Sequence, residues 1–238
     1  MRAMSFLFKW SAAAVLTVFW GLVSILFAFI PPRGWSMNRC GRLWARGMLF
    51  CWGVKVEVIN AVPAGRPRVI MPNHRSLVDI PVIFVAVPDR IVFLAKKSLF
   101  RIPFLGWAMS AAGFIPVDRA DRSTALATFK RAKEELREGL SILLFPEETR
   151  STVEGLLPFK KGGFLLSRAT GAPILPLGIH GADAVIGKSG HRIRGGVVKV
   201  CFGEEIPLDK SVSVPDLMAR VRADLESCIA RASAEPAP

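Results

Sequence analysis

The chain has 238 residues, 51% of them hydrophobic, with 32 Lys and Arg against 19 Asp and Glu for a net charge of +13. That length fits one substantial α/β domain rather than two. A mean hydropathy of +0.38 is high for a freely soluble domain, and the basic residues form no dense run; together these exclude a typical nucleic-acid binder and favour an anionic membrane surface or a phosphorylated substrate.

Residues 10–30, WSAAAVLTVFWGLVSILFAFI, are 21 residues without a charge, about the length that crosses a bilayer core of roughly 30 Å. The run ends in PPRGW rather than at a small-residue cleavage site, which argues against a secretory signal. Arg33, Arg39, Arg42 and Arg46 outnumber Arg2 and Lys9 across the run, so the positive-inside rule places the rest of the chain on the cytoplasmic face of a membrane. Residues 35–52, WSMNRCGRLWARGMLFCW, set Arg39, Arg42 and Arg46 on one helical face and Leu43, Trp44 and Met48 largely elsewhere. A helix lying in a headgroup layer has that pattern, and so has an ordinary amphipathic helix packed on its own domain; the adjacent apolar run favours the first. Residues 1–52 are therefore expected as membrane-embedded or interfacial helices, and residues 53–238 as the α/β domain.

From there on, short apolar runs alternate with helical patterns. Strands are predicted at 54–59, 68–72, 91–95, 113–117, 141–145, 173–178 and 197–202, and helices at 77–87, 123–138, 161–170 and 215–230. In STALATFKRAKEELREGL, Leu126, Phe129, Leu136 and Leu140 follow one face, Ser123 can cap and Gly139 can end the helix. Pro215 suits the first turn of the last helix, which Leu217, Val221 and Leu225 stripe. Most strands lack alternation, as expected when both faces are covered. The fold class is α/β, with a mostly parallel sheet flanked by helices. Cys40, Cys51, Cys201 and Cys228 show no metal or disulfide spacing and read as reduced and structural.

Ligands of open α/β sheets gather at the carboxyl ends of the strands, and three predicted strands end in chemically loaded words: NHRSLVD, VDR and FPEETRS. His74 is a candidate general base. Asp79, five residues on, can fix its tautomer and stabilise the imidazolium; Ser76 and Asp79 equally make a capping box, which would leave Asp79 a purely structural role. Arg119 and Arg150, with Lys96 and Lys97, can hold an anion. No GxSxG, HExxH or CxxC word occurs, and His180 and His191 lack ligand-like company, so neither a serine-hydrolase elbow nor a metal site is expected. GADAVIGKS, 181–189, misses phosphate-loop spacing and reads as a turn. A base without a protein nucleophile fits direct transfer, in which the base activates a substrate hydroxyl.

These words, in this order, resemble the glycerolipid acyltransferase family that includes the bacterial 1-acylglycerol-3-phosphate acyltransferases. NHRSLVD is similar to the family's NHxxxxD block, KKSLFRIPFLGWAMSAAGFIPVDR (96–119) to its second block, and FPEETRS to its FPEGTRS block; LPFKKGGF (157–164) and APILPLGI (172–179) resemble the two stretches after it. The resemblance runs from about residue 68 to residue 178. It implies an enzyme that moves a fatty acyl group from acyl-CoA or acyl-carrier protein to the free hydroxyl of 1-acylglycerol 3-phosphate at an anionic membrane, giving phosphatidic acid for phospholipid synthesis, with no further cofactor. His74 would take the proton of the acceptor hydroxyl and Asp79 would orient His74. Arg119, Arg150 and Lys96 would hold the acceptor phosphate, and Glu147 and Thr149 would shape the glycerol site. One position departs from the pattern: Glu148 stands where the family has Gly. If that Gly takes positive φ, Glu is strained there, and the substitution leaves open another acceptor, such as a lyso-ornithine lipid or another lysophospholipid. From other classes, a non-catalytic peripheral membrane protein would share the charge and the N-terminus, and a metal-dependent phosphoesterase finds too few ligands.

Overall fold

The computed structural model describes residues 2–27, 35–118, 121–187, 192–209 and 211–234. All seven predicted strands are present, each within two residues of its expected ends: β1 (Val54–Ile59), β2 (Val69–Pro72), β3 (Ile91–Lys96), β4 (Ile115–Val117), β5 (Ser141–Leu143), β6 (Ile174–His180) and β7 (Gly196–Phe202). They form one sheet in the order β1-β7-β6-β2-β5-β3-β4. Every neighbouring pair is parallel except β6 and β7.

The missing alternation has the expected cause. Adjacent residues of one strand enter opposite cores, so both must be apolar. Ile70, Leu143 and Leu175 pack on the side of α2 (Trp35–Trp52) and α3 (Asp79–Ala86). Val69, Met71, Ile142 and Ile174 pack on the side of α5 (Ala125–Arg137), α6 (Gly162–Thr170) and α8 (Val214–Ala234). Gly139 and Gly171 follow α5 and α6 with φ of +82° and +76°, the left-handed geometry that lets a helix stop without Cβ strain. Ser123 is not the cap of α5: its hydroxyl donates to Asp121 at 2.6 Å inside a preceding 3-10 turn.

Three further short elements lie where no helix was expected: a 3-10 turn at Lys97–Arg101, α4 (Leu105–Ala111) and the single turn α7 (Ala182–Val185). Each is too short to show a 3.6-residue stripe. At Gly106 the α4 backbone lies against Phe100, whose carbonyl oxygen would sit 2.2 Å from an added Cβ.

The N-terminal segment is helical, as α1 (Arg2–Phe27) followed by α2, but it is not a unit separate from the domain. Lys9 donates to the Trp52 carbonyl at 3.3 Å and to the Ile193 carbonyl at 3.2 Å. Further along, Trp44 Nε1 donates to Thr17 Oγ1 at 3.2 Å, and Ala13 and Ser24 are buried. These contacts run α1 antiparallel to α2 and cover one of its faces. Trp10 packs against Trp52 with ring centroids 6.3 Å apart, turned inward rather than toward a membrane interface.

The headgroup-layer reading of α2 is likewise corrected. Met48, Leu49 and Trp52 enter the main core. Arg42 turns inward, its Nη2 donating to the Val87, Pro88 and Asp89 carbonyls at 3.0, 2.6 and 3.0 Å. There it binds the carbonyls of the segment that leaves α3. Arg39 and Arg46 remain exposed.

Candidate active site

β2 and β5 are parallel neighbours, so the loops that leave their carboxyl ends lie side by side. The first carries residues 73–78 and the second residues 144–151.

Asn73 ends β2 and extends its pairing through a side chain. Its Oδ1 accepts the Ile179 N–H at 2.7 Å and its Nδ2 donates to the Ile179 carbonyl at 2.9 Å. An amide offers both a donor and an acceptor, so it can copy a strand's backbone where the ladder stops. The chain then turns into α3. Asp79 opens that helix, 1% exposed, and its Oδ2 accepts three hydrogen bonds: from the backbone N–H of Arg75 and of Ser76, each at 2.9 Å, and from His74 Nδ1 at 2.8 Å. The two readings of Asp79 are therefore both realised. It gathers the amides ahead of α3 and it orients the imidazole. With Nδ1–H given to a carboxylate, Nε2 is the nitrogen that carries the lone pair.

Two further contacts hold the imidazole in place. Its ring lies on Phe145, 3.9 Å between centroids and 19° from parallel. Its backbone is bound on both sides: the His74 N–H donates to Glu147 Oε1 at 2.9 Å, and the His74 carbonyl accepts from the Ser151 N–H at 2.8 Å. The side chain keeps 16% of its surface exposed, enough for a substrate to reach one edge.

Glu147 does not lie as a substrate-shaping residue would. It is 2% exposed, and its second oxygen accepts the Leu157 N–H at 2.7 Å. Both oxygens thus hold backbone, joining the His74 loop, the β5 exit and the 157–161 stretch. Burial pushes its carboxyl above the usual glutamate value, against the two amide hydrogen bonds, which pull it down.

The other expected site residues divide by placement. Arg150 directly precedes Ser151, whose amide is bound to the His74 carbonyl, so its backbone lies at the same edge of the sheet; its Nη1 is buried with no hydrogen-bond partner among the described residues. Thr149 is exposed in the same loop. Lys96 is exposed at the carboxyl end of β3, on the far side of β5 from β2. Its neighbour Lys97 is paired with Asp118 at 3.1 Å. Arg119 lies outside the described residues, as does His191. Glu148 has φ of +58°, so the position does require left-handed backbone, where a Cβ is unfavourable.

Sequence reasoning missed several holding residues. Arg75 binds Asp183 of α7 through Nε at 2.9 Å and Nη2 at 2.8 Å, and donates to the Val153 carbonyl at 2.9 Å. Ser76 Oγ donates to the Ile186 carbonyl at 2.6 Å. Their partners lie 108 and 110 residues away, and no local pattern marks them. Among the described residues no group of three His, Cys, Asp or Glu is arranged to hold a metal.

The arrangement is a dyad of imidazole and carboxylate, with Arg150 carried by the neighbouring loop and, among the described residues, no protein nucleophile hydrogen-bonded to the base. Comparison with known proteins agrees with that chemistry. The Acyltransferase family profile matches residues 53–180. A 1-acyl-sn-glycerol-3-phosphate acyltransferase of Chlamydomonas reinhardtii is 30% identical over 89% of this chain and 65% of its own length. The enzyme of the same description from Saccharomyces cerevisiae is 32% identical over 71% and 57%, and a chloroplastic one from Brassica napus is 33% identical over 61% and 42%. The chain thus spans between about two-fifths and two-thirds of the length of these relatives. The crystal structure of the 1-acyl-sn-glycerophosphate acyltransferase of Thermotoga maritima superposes with a TM-score of 0.85, covering 100% of this chain and 98% of that one at 25% identity. With the profile covering more than half of the chain and spanning the dyad, the strands β1 to β6 and the loops between them, this protein belongs to the acyltransferase family.

Proposed function

We propose that the chain transfers a fatty acyl group from an acyl-CoA or acyl-carrier-protein thioester to the free hydroxyl of 1-acylglycerol 3-phosphate, yielding phosphatidic acid for phospholipid synthesis. The observation that carries this reading is the 2.8 Å contact of His74 Nδ1 with Asp79 Oδ2, which leaves Nε2 basic at a partly open edge of the site. The names of the relatives supply the substrate class.

In the reaction, His74 Nε2 takes the proton of the acceptor hydroxyl as its oxygen attacks the thioester carbonyl carbon. The imidazolium that forms is stabilised by Asp79. The C–S bond then breaks, the thiolate recovers the proton from His74, and an ester and a free thiol leave. Arg150 binds the acceptor phosphate, supported by Lys96 and Arg119. Thr149 lines the glycerol side. Glu147 acts through backbone as a positioning residue.

The acceptor is a lipid, and α1 exposes Leu7, Phe8, Val15, Phe19, Leu22 and Leu26 on the face that the domain leaves uncovered. Because α1 is packed on α2 from Lys9 to Thr17, it lies with its open face in one leaflet rather than crossing alone. Acyl-CoA and acyl-carrier protein are cytoplasmic donors, which supports a catalytic domain on the cytoplasmic face. Glu148 favours a second reading of the acceptor only: its carboxylate in a phosphate-side turn suits a less anionic head group, such as a lyso-ornithine lipid.

Detergent-purified protein offered radiolabelled acyl-CoA and 1-acylglycerol 3-phosphate tests the proposal, with folded His74→Ala alongside. Product from the native chain and none from the variant is the expected result. Turnover only with a lyso-ornithine lipid would transfer the chemistry to the second acceptor. No product with either donor and any lysolipid would overturn the enzymatic reading in favour of a membrane-binding protein.

A further inference from the structure

The segment between β3 and β4 exposes large apolar side chains that no part of the described protein covers. Leu99 and Ile102 are 38% and 44% exposed, and Trp107, on α4, is 54% exposed. These are not scattered surface residues. α4 lies directly on α1: an added Cβ at Gly21 would sit 3.4 Å from the Phe104 carbonyl oxygen and 3.6 Å from the Ala108 Cβ. Val18, one turn before Gly21, and Leu22, the next residue, are themselves exposed, so exposed apolar side chains of α1 flank its contact with α4.

An apolar patch rimmed by polar groups marks an interaction site. Here the rim is basic. Lys96 and Arg101 are exposed at the start and end of the 3-10 turn that leads to α4. Phe104, between that turn and α4, takes a left-handed φ of +62°, an unfavourable conformation for a side chain of its size. The turn fixes α4 against α1 and leaves Trp107 on the outside, its ring edge-on to Phe104 at 5.2 Å.

The geometry points to residues 97–107 as a second membrane-inserting element, seated beside α1 in the same leaflet of an anionic bilayer. Leu99, Ile102 and Trp107 enter the acyl boundary, and Arg101 stays at the phosphate level. The inference rests on the membrane reading of α1 and extends it to the active site. β3 ends in Lys96 and the inserted turn begins at the next residue without a linker. A lysolipid whose chain stays among the lipids next to α4 thereby has its phosphate within reach of the catalytic edge. The acceptor then need not leave the membrane to react.

Site-specific fluorescence quenching separates the two claims. Cys51→Ser removes the one cysteine that is not buried, and a bimane label is placed in the full chain at Ile102→Cys, Leu22→Cys or Lys133→Cys. Each is mixed with vesicles of phosphatidylglycerol and phosphatidylcholine carrying lipids brominated on the upper acyl chain, at the depth of about 5–10 Å that interfacial elements reach. Strong quenching at 22 and 102, with none at 133 on α5, is the expected result. Quenching at 22 without quenching at 102 overturns this inference and leaves the membrane reading of α1 intact. An unquenched label at 22 overturns both.

Discussion

The loop that leaves β2 and the loop that leaves β5 lie side by side and are built on opposite plans. In the first, the polar groups of Asn73, His74, Arg75 and Ser76 are engaged with Ile179, Asp79, Glu147, Asp183 and Ile186. In the second, Glu147 holds backbone, yet Glu148 is strained at φ of +58°, Thr149 is exposed and Arg150 keeps an Nη1 without a hydrogen-bond partner among the described residues. A base must be fixed before its substrate arrives, because misplacing it weakens proton transfer in the transition state. A binding group is better left unsatisfied, since a guanidinium already paired would gain little from a phosphate. The contrast teaches that rigidity and openness are assigned to different strands of one edge.

Removing the fixed base should have the largest effect. His74→Ala should lower kcat by about 10²–10⁴-fold, the usual contribution of a positioned general base, with the acceptor KM little changed; single-turnover acyl transfer measures it, and near-native turnover in a folded variant would remove His74 from the mechanism. Arg150→Ala attacks the open loop. Losing a charge-assisted contact of about 1.5–3 kcal/mol should raise the acceptor KM roughly 10–100-fold and leave kcat nearly intact. Steady-state kinetics against acceptor concentration decide it, and an unchanged KM would mean the phosphate is held elsewhere.

Glu147→Gln loosens the tie between the loops. One amide donor loses its acceptor, at a cost of about 1–3 kcal/mol in stability, and kcat should fall more than KM rises because His74 is displaced. Its pH signature comes from burial. The folded carboxyl titrates above its ordinary value of 4.5, so between that pH and its raised value the folded state binds more protons than the unfolded chain. This group's stabilising contribution is then complete below about pH 4.5 and is lost as pH rises through the raised value. Denaturant unfolding across that window should show a downward slope in the native protein that the variant lacks; parallel curves would show that the carboxyl titrates normally.

Glu148→Gly makes the smallest change. It relieves left-handed strain of about 1–2 kcal/mol, partly offset by about 0.4–1 kcal/mol of added freedom in the unfolded chain. The net gain in stability should be between about 0 and 1.6 kcal/mol, visible as at most a modest rise in Tm. If the charge selects the head group, the ratio of rates on 1-acylglycerol 3-phosphate and lyso-ornithine lipid should shift toward the phosphate; a constant ratio would free Glu148 of any part in selection.

Much of this was legible in the chain. The strands stood out because a doubly covered parallel strand is a continuous apolar run, as VIM before Pro72 and ILPLGI in β6 show. His74 and Asp79 were legible because their contact spans five residues, and the strain at Glu148 because its position calls for glycine. The holding role of Glu147 was not, since an acidic residue in a strand-end word reads equally as a ligand contact. Nor was the inward turn of Arg42: a helical face of arginines looks the same whether it meets lipid headgroups or the carbonyls of a segment packed beside it.

The sequence by itself determined the α/β class, the strand positions and the dyad, because each arises from periodicity or from groups close along the chain. Only the tertiary structure decided what those groups are bound to. It joined Arg75 to Asp183 and Ser76 to Ile186 across more than a hundred residues, set α1 and α2 against the domain, and laid α4 beside α1. The reason is physical: hydrophobic burial is non-directional and fixes which residues go inside. A hydrogen bond or an ion pair needs a partner at about 3 Å with the right angle, and partners far apart in sequence meet only once the sheet has ordered its strands.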